Sequence, residues 1–436
     1  MPSEIIGIIG FAIMFALMLG GVPIAIAMAT IGFLGTVYFV GFPATFAGVM
    51  SLVPFSAAAK YELVAMALFL LMGNIAFHSA MAEDLFKAAQ HWIGRLPAGL
   101  SLASLAACAG FSAVTGSSVA CAVAIGSIAL PEMTKQKYDK PFSAGVLAAG
   151  GTLGILIPPS TGFIIYGAWT ETAIHKLFIA GIVPGIILVT FYMLVAVIRA
   201  KINPSLAPSY KVKSSWGEKF RLLGKCGPIL VLFLFLMVGM WAGWFTPVEA
   251  GGMGVVAVIL ITIATRKFNF GVWINAMRDA GRTTAMIMAI VVGASLMVQF
   301  VALSRFNVFL VETIQTLGVT FVPFMGLCFV MYLALGCLLD VIGMLLLTLP
   351  ILFPVVQAMG IDPIWFGVFI VITCEMALIT PPVGINCFAI AGVAEGVPLE
   401  SIFKNILPFL LAQVATIAVL MLFPQIATFL LETMPK

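Results

Sequence analysis

The chain has 436 residues, of which 62% are hydrophobic and only 9% charged. A water-soluble domain of this size carries roughly a quarter charged residues, so water is excluded as the main solvent. The net charge of +4 says less than where the charges stand, and no nucleic-acid partner is expected.

In chain order, apolar stretches at 5–20 and 22–40 meet at Gly20-Gly21, and a third covers 63–81. Each is about long enough to cross hydrocarbon as a helix. The first has no basic flank before it and runs straight into the second, so it reads as a mature span rather than a cleaved signal peptide. An amphipathic arm follows at 83–96, then two short apolar segments meeting at a polar tip, 112–118. Segments of about 15 residues are too short to cross comfortably, which predicts a re-entrant helical hairpin over 97–131. A long apolar stretch, 141–170, is broken by Pro158-Pro159, and a final span completes the half. A basic stretch containing Pro and Ser, 199–225, reads as a linker.

The same order returns after the linker. Spans meet at 243–247, the first of them including the apolar stretch 228–244, and an arm follows at 304–317. A hairpin is predicted over 319–355 with its tip at 336–340, and a stretch at 364–393 is broken by Pro381-Pro382. A shift of about 220 residues lays Met66 on Met286, Gly73 on Gly293, Phe86 on Phe306 and Gly116 on Gly336. Further on, Pro131 meets Pro350, Pro158-Pro159 meets Pro381-Pro382, Glu171 meets Glu395 and Pro184 meets Pro408. A co-linear series of helix-punctuating residues marks an internal repeat. The expectation is an all-α polytopic membrane protein with repeats at 1–198 and 226–436, joined by the cytoplasmic linker 199–225.

Five crossings plus one hairpin per half is an odd number, so the two repeats must sit inverted in the membrane. Charge placement tests this independently. With the linker inside, Lys87, Arg95, Lys135, Lys137, Lys140, Arg266, Lys267, Arg278, Arg282 and Lys404 join its seven basic residues there. Lys60, Lys176, Arg305 and Lys436 fall outside, a split of 17 to 4 over all 21. Both termini are then expected outside.

Enzymatic chemistry finds no foothold. The seven Cys form no CxxC pair, and His78, His91 and His175 lie far apart in sequence. No GxSxG elbow, HExxH, P-loop or dinucleotide fingerprint occurs, which argues against ATP hydrolysis by this chain.

The two Pro-Pro breaks point instead to ion-coupled transport. Two prolines in mid-span remove two backbone donors and open the helix, leaving carbonyls without partners at membrane depth. A desolvated cation can satisfy them, helped by Gly151, Thr152 and the facing tip Thr115-Gly116-Ser117-Ser118 near Pro158. The repeat supplies a second such place, with Glu375, Thr380 and Pro381 opposite Gly336 to Asp340. Discontinuous helices at matching positions of inverted repeats are the best sequence pointer to a transporter's binding site. A carboxylate such as Asp340 near the membrane centre costs at least about 2.5–3.5 kcal/mol. With no Lys or Arg predicted in the membrane interior, Asp340 is left with cation binding or protonation. Glu375 could do the same or hydrogen-bond opened backbone. Glu249, after Pro247, fits a helix N-terminus at the interface.

An anionic substrate between the tips would depend on helix N-termini and bound sodium for positive potential. Ion and anion binding would then be cooperative. If two sodium ions accompanied a monoanion, 100 mV would contribute roughly 2.3 kcal/mol per net charge.

Over nearly its whole length the chain resembles the large membrane subunit of tripartite ATP-independent periplasmic (TRAP) transporters. The matching stretches are Leu71-Met72-Gly73-Asn74, Gly94-Arg95-Leu96-Pro97, Thr115-Gly116-Ser117-Ser118, 151–160, Thr246-Pro247-Val248-Glu249-Ala250 and Ile379-Thr380-Pro381-Pro382-Val383-Gly384. The resemblance implies an elevator transporter of the bacterial inner membrane that binds sodium near the hairpin tips, at two or more sites. It also implies a separate small four-helix membrane subunit and a periplasmic binding protein that delivers carboxylates such as C4-dicarboxylates, keto acids or sialic acids. The ion-site role carries onto Thr115, Ser117, Ser118, Thr152, Asp340 and Thr380. Val341 and Ile342 depart from the Pro and small hydroxyl residue often found after the acid. A rival reading is a self-sufficient sodium- or proton-coupled carboxylate carrier of the same architecture.

Overall fold

The computed structural model describes residues 2–208 and 215–434, and among these it is all helix with no strand. Lys211, Lys213 and Lys436 of the charge count, and 209–214 of the linker, lie outside the described residues.

The first half opens with α1 (Ser3–Leu19) and α2 (Ile24–Val40), which turn at Gly20-Gly21. Both have 17 residues, the lower limit for a span. Next come α3 (Phe42–Ala44), a π-helical turn (Thr45–Met50) and α4 (Ser51–Ala58), a stretch to which the sequence pattern assigns no element. With α5 (Glu62–His78) this stretch makes one apolar path bent by 48°. In the second half the same place is held by one continuous 34-residue helix, α15 below.

The arm is α6 (Met81–Ile93), which buries Met81, Ala82, Leu85, Phe86 and Ala88. Two helices, α7 (Gly99–Thr115) and α8 (Ser118–Lys135), form a hairpin. Then come α9 (Lys140–Gly151), the short α10 (Leu153–Leu156) and α11 (Thr161–Thr170), interrupted at Pro158-Pro159. Closing the half, α12 (Ile174–Ile202) runs into the stretch expected as linker.

The second half has α13 (Trp216–Trp241), α14 (Pro247–Ala264), α15 (Phe270–Leu303) and the arm α16 (Phe306–Thr316). Its hairpin is α17 (Phe321–Leu335) with α18 (Val341–Ala358). A broken pair, α19 (Pro363–Ala377) and α20 (Ile385–Val393), leads to α21 (Leu399–Leu422) and a short α22 (Gln425–Glu432).

Local chemistry sets these boundaries. The Asp139 carboxylate accepts from Phe142 N at 2.8 Å to start α9, and Asp362 accepts from Ile364 N and Trp365 N at 2.7 and 2.9 Å to start α19. These two caps hold matching places in the repeats. Thr246 and Glu249 form a capping box on α14 with Pro247 in its first turn, the N-terminal role expected of Glu249.

Packing between the halves is reciprocal. Helix α2 lies against α15 as α5 lies against α14, α8 meets α20 as α18 meets α11, and α12 meets α19 as α21 meets α9. Each repeat therefore covers the apolar faces of the other. The arm α6 is pinned by Lys267 from the α14–α15 turn, which ion-pairs with Asp84 and donates to the Ala80 carbonyl at 3.3 Å.

Candidate functional site

Both Pro-Pro pairs interrupt their helices where the sequence places the breaks, and both peptide bonds are cis. Helix α10 stops at Leu156 and α11 restarts at Thr161, with the Ser160 hydroxyl accepting from Phe163 N at 3.2 Å. In the second half α19 stops at Ala377 and α20 restarts at Ile385.

Each hairpin tip lies on a break. At the first tip, Gly116 adopts φ +58°, a left-handed conformation that favours glycine. Its carbonyl accepts from the Thr161 hydroxyl at 2.8 Å, joining the tip to the restart of α11. Gly154 on α10 faces the tip backbone so closely that a Cβ there would lie 2.5 Å from the Ser117 carbonyl oxygen. Ser117 caps α8 by accepting from Ala120 N at 3.4 Å. At the second tip, Gly336 packs against Ala377 at the end of α19. The Asp340 carboxylate caps α18, accepting from Gly343 N at 3.0 Å.

Between the tips is a cavity of about 380 Å³. Ser117, Ser118 and Val119 enter it from the first tip, and Asp340, Val341 and Ile342 from the second. Ile155, Thr161 and Leu378 come from the edges of the two breaks, and Leu70 of α5 with Thr283, Met286 and Ile287 of α15 form the remaining wall. Of the sequence-predicted residues, Ser117, Ser118 and Asp340 line this space. Thr115, Gly116, Gly151, Thr152, Pro158, Gly336, Glu375, Thr380 and Pro381 stand behind it.

One grouping needs correction. Glu375 does not face the second tip. It is fully buried, and the Ser118 hydroxyl lies 2.6 and 2.7 Å from its two carboxylate oxygens, tying α19 to the first hairpin. Helical phase explains this. Residues two apart on a helix point to nearly opposite sides, so with Ala377 against Gly336, Glu375 must turn toward the other repeat. Among the described residues neither Asp340 nor Glu375 ion-pairs with Lys, Arg or His.

Three threonines are already engaged within the protein, Thr115 by donating its hydroxyl to the Phe111 carbonyl at 3.3 Å. The Thr152 hydroxyl donates to the Ala149 carbonyl at 2.7 Å and lies 2.9 Å from the Tyr192 hydroxyl on α12. The Thr380 hydroxyl donates to the Met376 carbonyl at 2.7 Å. Asn386, in the first turn after the second break, was missed. It is fully buried, and among the described residues neither its amide oxygen nor its nitrogen has a hydrogen-bond partner. An amide four residues after Pro382 in an otherwise apolar run was the available signal. Thr161 and Thr283 were missed as well.

Reciprocal repeats, paired hairpins on broken helices and a central cavity with a few polar groups in an apolar lining define a polytopic membrane permease rather than an enzyme. The family described as "Tripartite ATP-independent periplasmic transporter, DctM component" matches residues 11–426. The chain belongs to that family. It is 32% identical over 376 residues to the C4-dicarboxylate TRAP transporter large permease protein DctM of Pseudomonas aeruginosa, covering 86% of this chain and 87% of that one. Its identity to the sialic acid TRAP transporter large permease protein SiaM of Vibrio cholerae is 28% over 374 residues, covering 86% and 87%. The fold is similar to the crystal structure of the Alcanivorax borkumensis YdaH transporter. The TM-score is 0.64 over 89% of this chain and 90% of that one, at 14% identity, a likeness of fold alone.

Proposed function

We propose that the chain takes up small organic acid anions, of the C4-dicarboxylate, keto acid or sialic acid class, in symport with sodium ions. The supporting observation is the 380 Å³ cavity built from both hairpin tips and the edges of both helix breaks. No Lys or Arg lines it. Positive potential for an anion therefore comes from the N-terminus of α8 and from co-bound sodium, the N-terminus of α18 being occupied by the Asp340 carboxylate. The Ser117 and Thr283 hydroxyls give the anion uncharged hydrogen-bond donors, while the Thr161 hydrogen is already given to the Gly116 carbonyl.

The first cation site lies behind the first tip, among backbone oxygens opened at Pro158-Pro159 and the oxygens of Thr115, Gly116, Ser117 and Thr152. The second lies at the Pro381-Pro382 break, where the orphaned Asn386 amide offers a buried oxygen that only a bound ion or water can satisfy. Hard cations take oxygen ligands of this kind. Movement follows the elevator mode, with both hairpins and both broken helices travelling together against α2, α5, α14 and α15. The repeats sit inverted in the bacterial inner membrane with both termini in the periplasm. A small four-helix membrane subunit and a periplasmic binding protein complete the transporter.

Uptake of labelled C4-dicarboxylate, keto acid and sialic acid into proteoliposomes tests this. An inward sodium gradient with all three components should drive accumulation, and a proton gradient alone should not. Equal uptake by the chain alone would favour the self-sufficient carrier instead.

A further inference from the structure

Away from the central cavity, α12 and α21 from the two repeats run side by side and leave a groove of about 380 Å³. Phe191, Leu194, Val195 and Ile198 line it from α12, and Pro408 and Leu411 are among its lining on α21. Leu194, Ile198 and Leu411 are exposed. The groove has a single polar lining residue, Arg199, at the end of its α12 wall.

Arg199 is held but not neutralised. Its guanidinium donates to the Asn405 side-chain oxygen at 2.9 Å and lies over the Phe142 ring at 5.7 Å. No Asp or Glu ion-pairs with it among the described residues. A guanidinium has five N–H donors in a fork that matches phosphate, and among the described side chains Asn405 takes only one of them. From Phe191 to Arg199 the wall rises about 12 Å, close to the roughly 15 Å depth of one leaflet's hydrocarbon. On a membrane protein an apolar groove of that depth with an unneutralised cation at its mouth has the dimensions and charge of a lipid.

We propose that the α12–α21 groove binds one anionic phospholipid, with an acyl chain between Leu194 and Leu411 and its phosphate on Arg199. The lipid seals the seam between the two repeats. This inference rests on membrane embedding and not on the transported substrate, so it can fail while the transport reading holds, and the reverse.

Native mass spectrometry of the full chain, titrated with phosphatidylglycerol and with phosphatidylcholine of the same acyl chains, reads the site directly. The expected result is preferential retention of one phosphatidylglycerol, weakened about tenfold in Arg199→Gln and less in Arg199→Lys, which keeps the charge but not the fork. Leu411→Trp, which fills the groove without touching the charge, should reduce retention of both lipids. Inorganic phosphate at matched ionic strength should displace neither. Equal binding of the two lipids, wild-type binding by Arg199→Gln or by Leu411→Trp, or displacement by phosphate would overturn the proposal. A dimer dissolved by Leu411→Trp would overturn it too, assigning the face to a second copy. If Arg199→Gln does not elute as a folded species, Leu411→Trp decides.

Discussion

Gly154→Ala puts the ion-site reading under direct strain. A Cβ on Gly154 would stand 2.5 Å from the Ser117 carbonyl oxygen, 2.7 Å from its carbon and 2.8 Å from Ser118 Cα. All three are backbone atoms of the first tip, so no side-chain rotation relieves the clash. Ordinary contact begins near 3.4 Å, which leaves the tip about 0.9 Å to retreat. Overpacking of this kind costs about 1–3 kcal/mol. Spent on ligand geometry at the first tip, it corresponds to a rise of about 5–150-fold in the sodium concentration for half-maximal uptake. The assay is uptake into proteoliposomes against sodium concentration, with gel filtration to establish folding. Gly252→Ala is the control, because nothing lies within 4 Å of a Cβ there. A folded Gly154→Ala protein with wild-type sodium dependence would refute the placement of a cation at the first tip.

Further substitutions separate structural from ionic roles. Asp340→Asn should keep the α18 cap, since Asn caps about as well as Asp, yet shift or abolish sodium dependence; Asp340→Ala should also lose about 1 kcal/mol of stability, read by thermal shift. Ser118→Ala leaves the buried Glu375 carboxyl without the one side chain that hydrogen-bonds it among the described residues. It should destabilise the folded protein by about 1–3 kcal/mol in thermal unfolding, with partial recovery in Ser118→Thr. Thr115→Val combined with Ser117→Ala should raise the half-saturating sodium concentration; a fall in maximal rate alone would make these residues gating elements. Asn386→Leu should weaken sodium dependence without loss of folded protein, because it removes a buried amide that has no partner to abandon.

The elements that punctuate the chain were readable because their chemistry is local. Pro-Pro pairs, glycine turns and the polar tips at 112–118 and 336–340 dictate backbone conformation whatever lies around them. The bend between Ala58 and Glu62 was not readable. Lys60 and Glu62 mark a break there without saying how sharply the path turns, and Pro54 inside α4 does not distinguish a kink from a first turn. Which polar residues share a surface was also hidden, for a different reason.

Asp340, Glu375 and Thr380 are neighbours in pattern, each beside a tip or a break of the second repeat. The repeat alone therefore groups them into one site. Phase along α19 already separates Glu375 from Ala377, but phase is a relative angle. It says that the two face apart without saying which neighbour each meets. Only the reciprocal packing of the repeats supplies that reference, by setting Gly336 on Ala377 and so sending Glu375 across to Ser118. The same logic applies to Thr283. Helix α15 carries 34 residues, far more than a span requires, and nothing local marks which turn faces the tips. Thr283 lines the cavity because α15 runs alongside α2, α5 and α18, a wall contributed by both repeats. Local chemistry thus fixes where the helices open, and the pairing of the two halves decides what each opening faces.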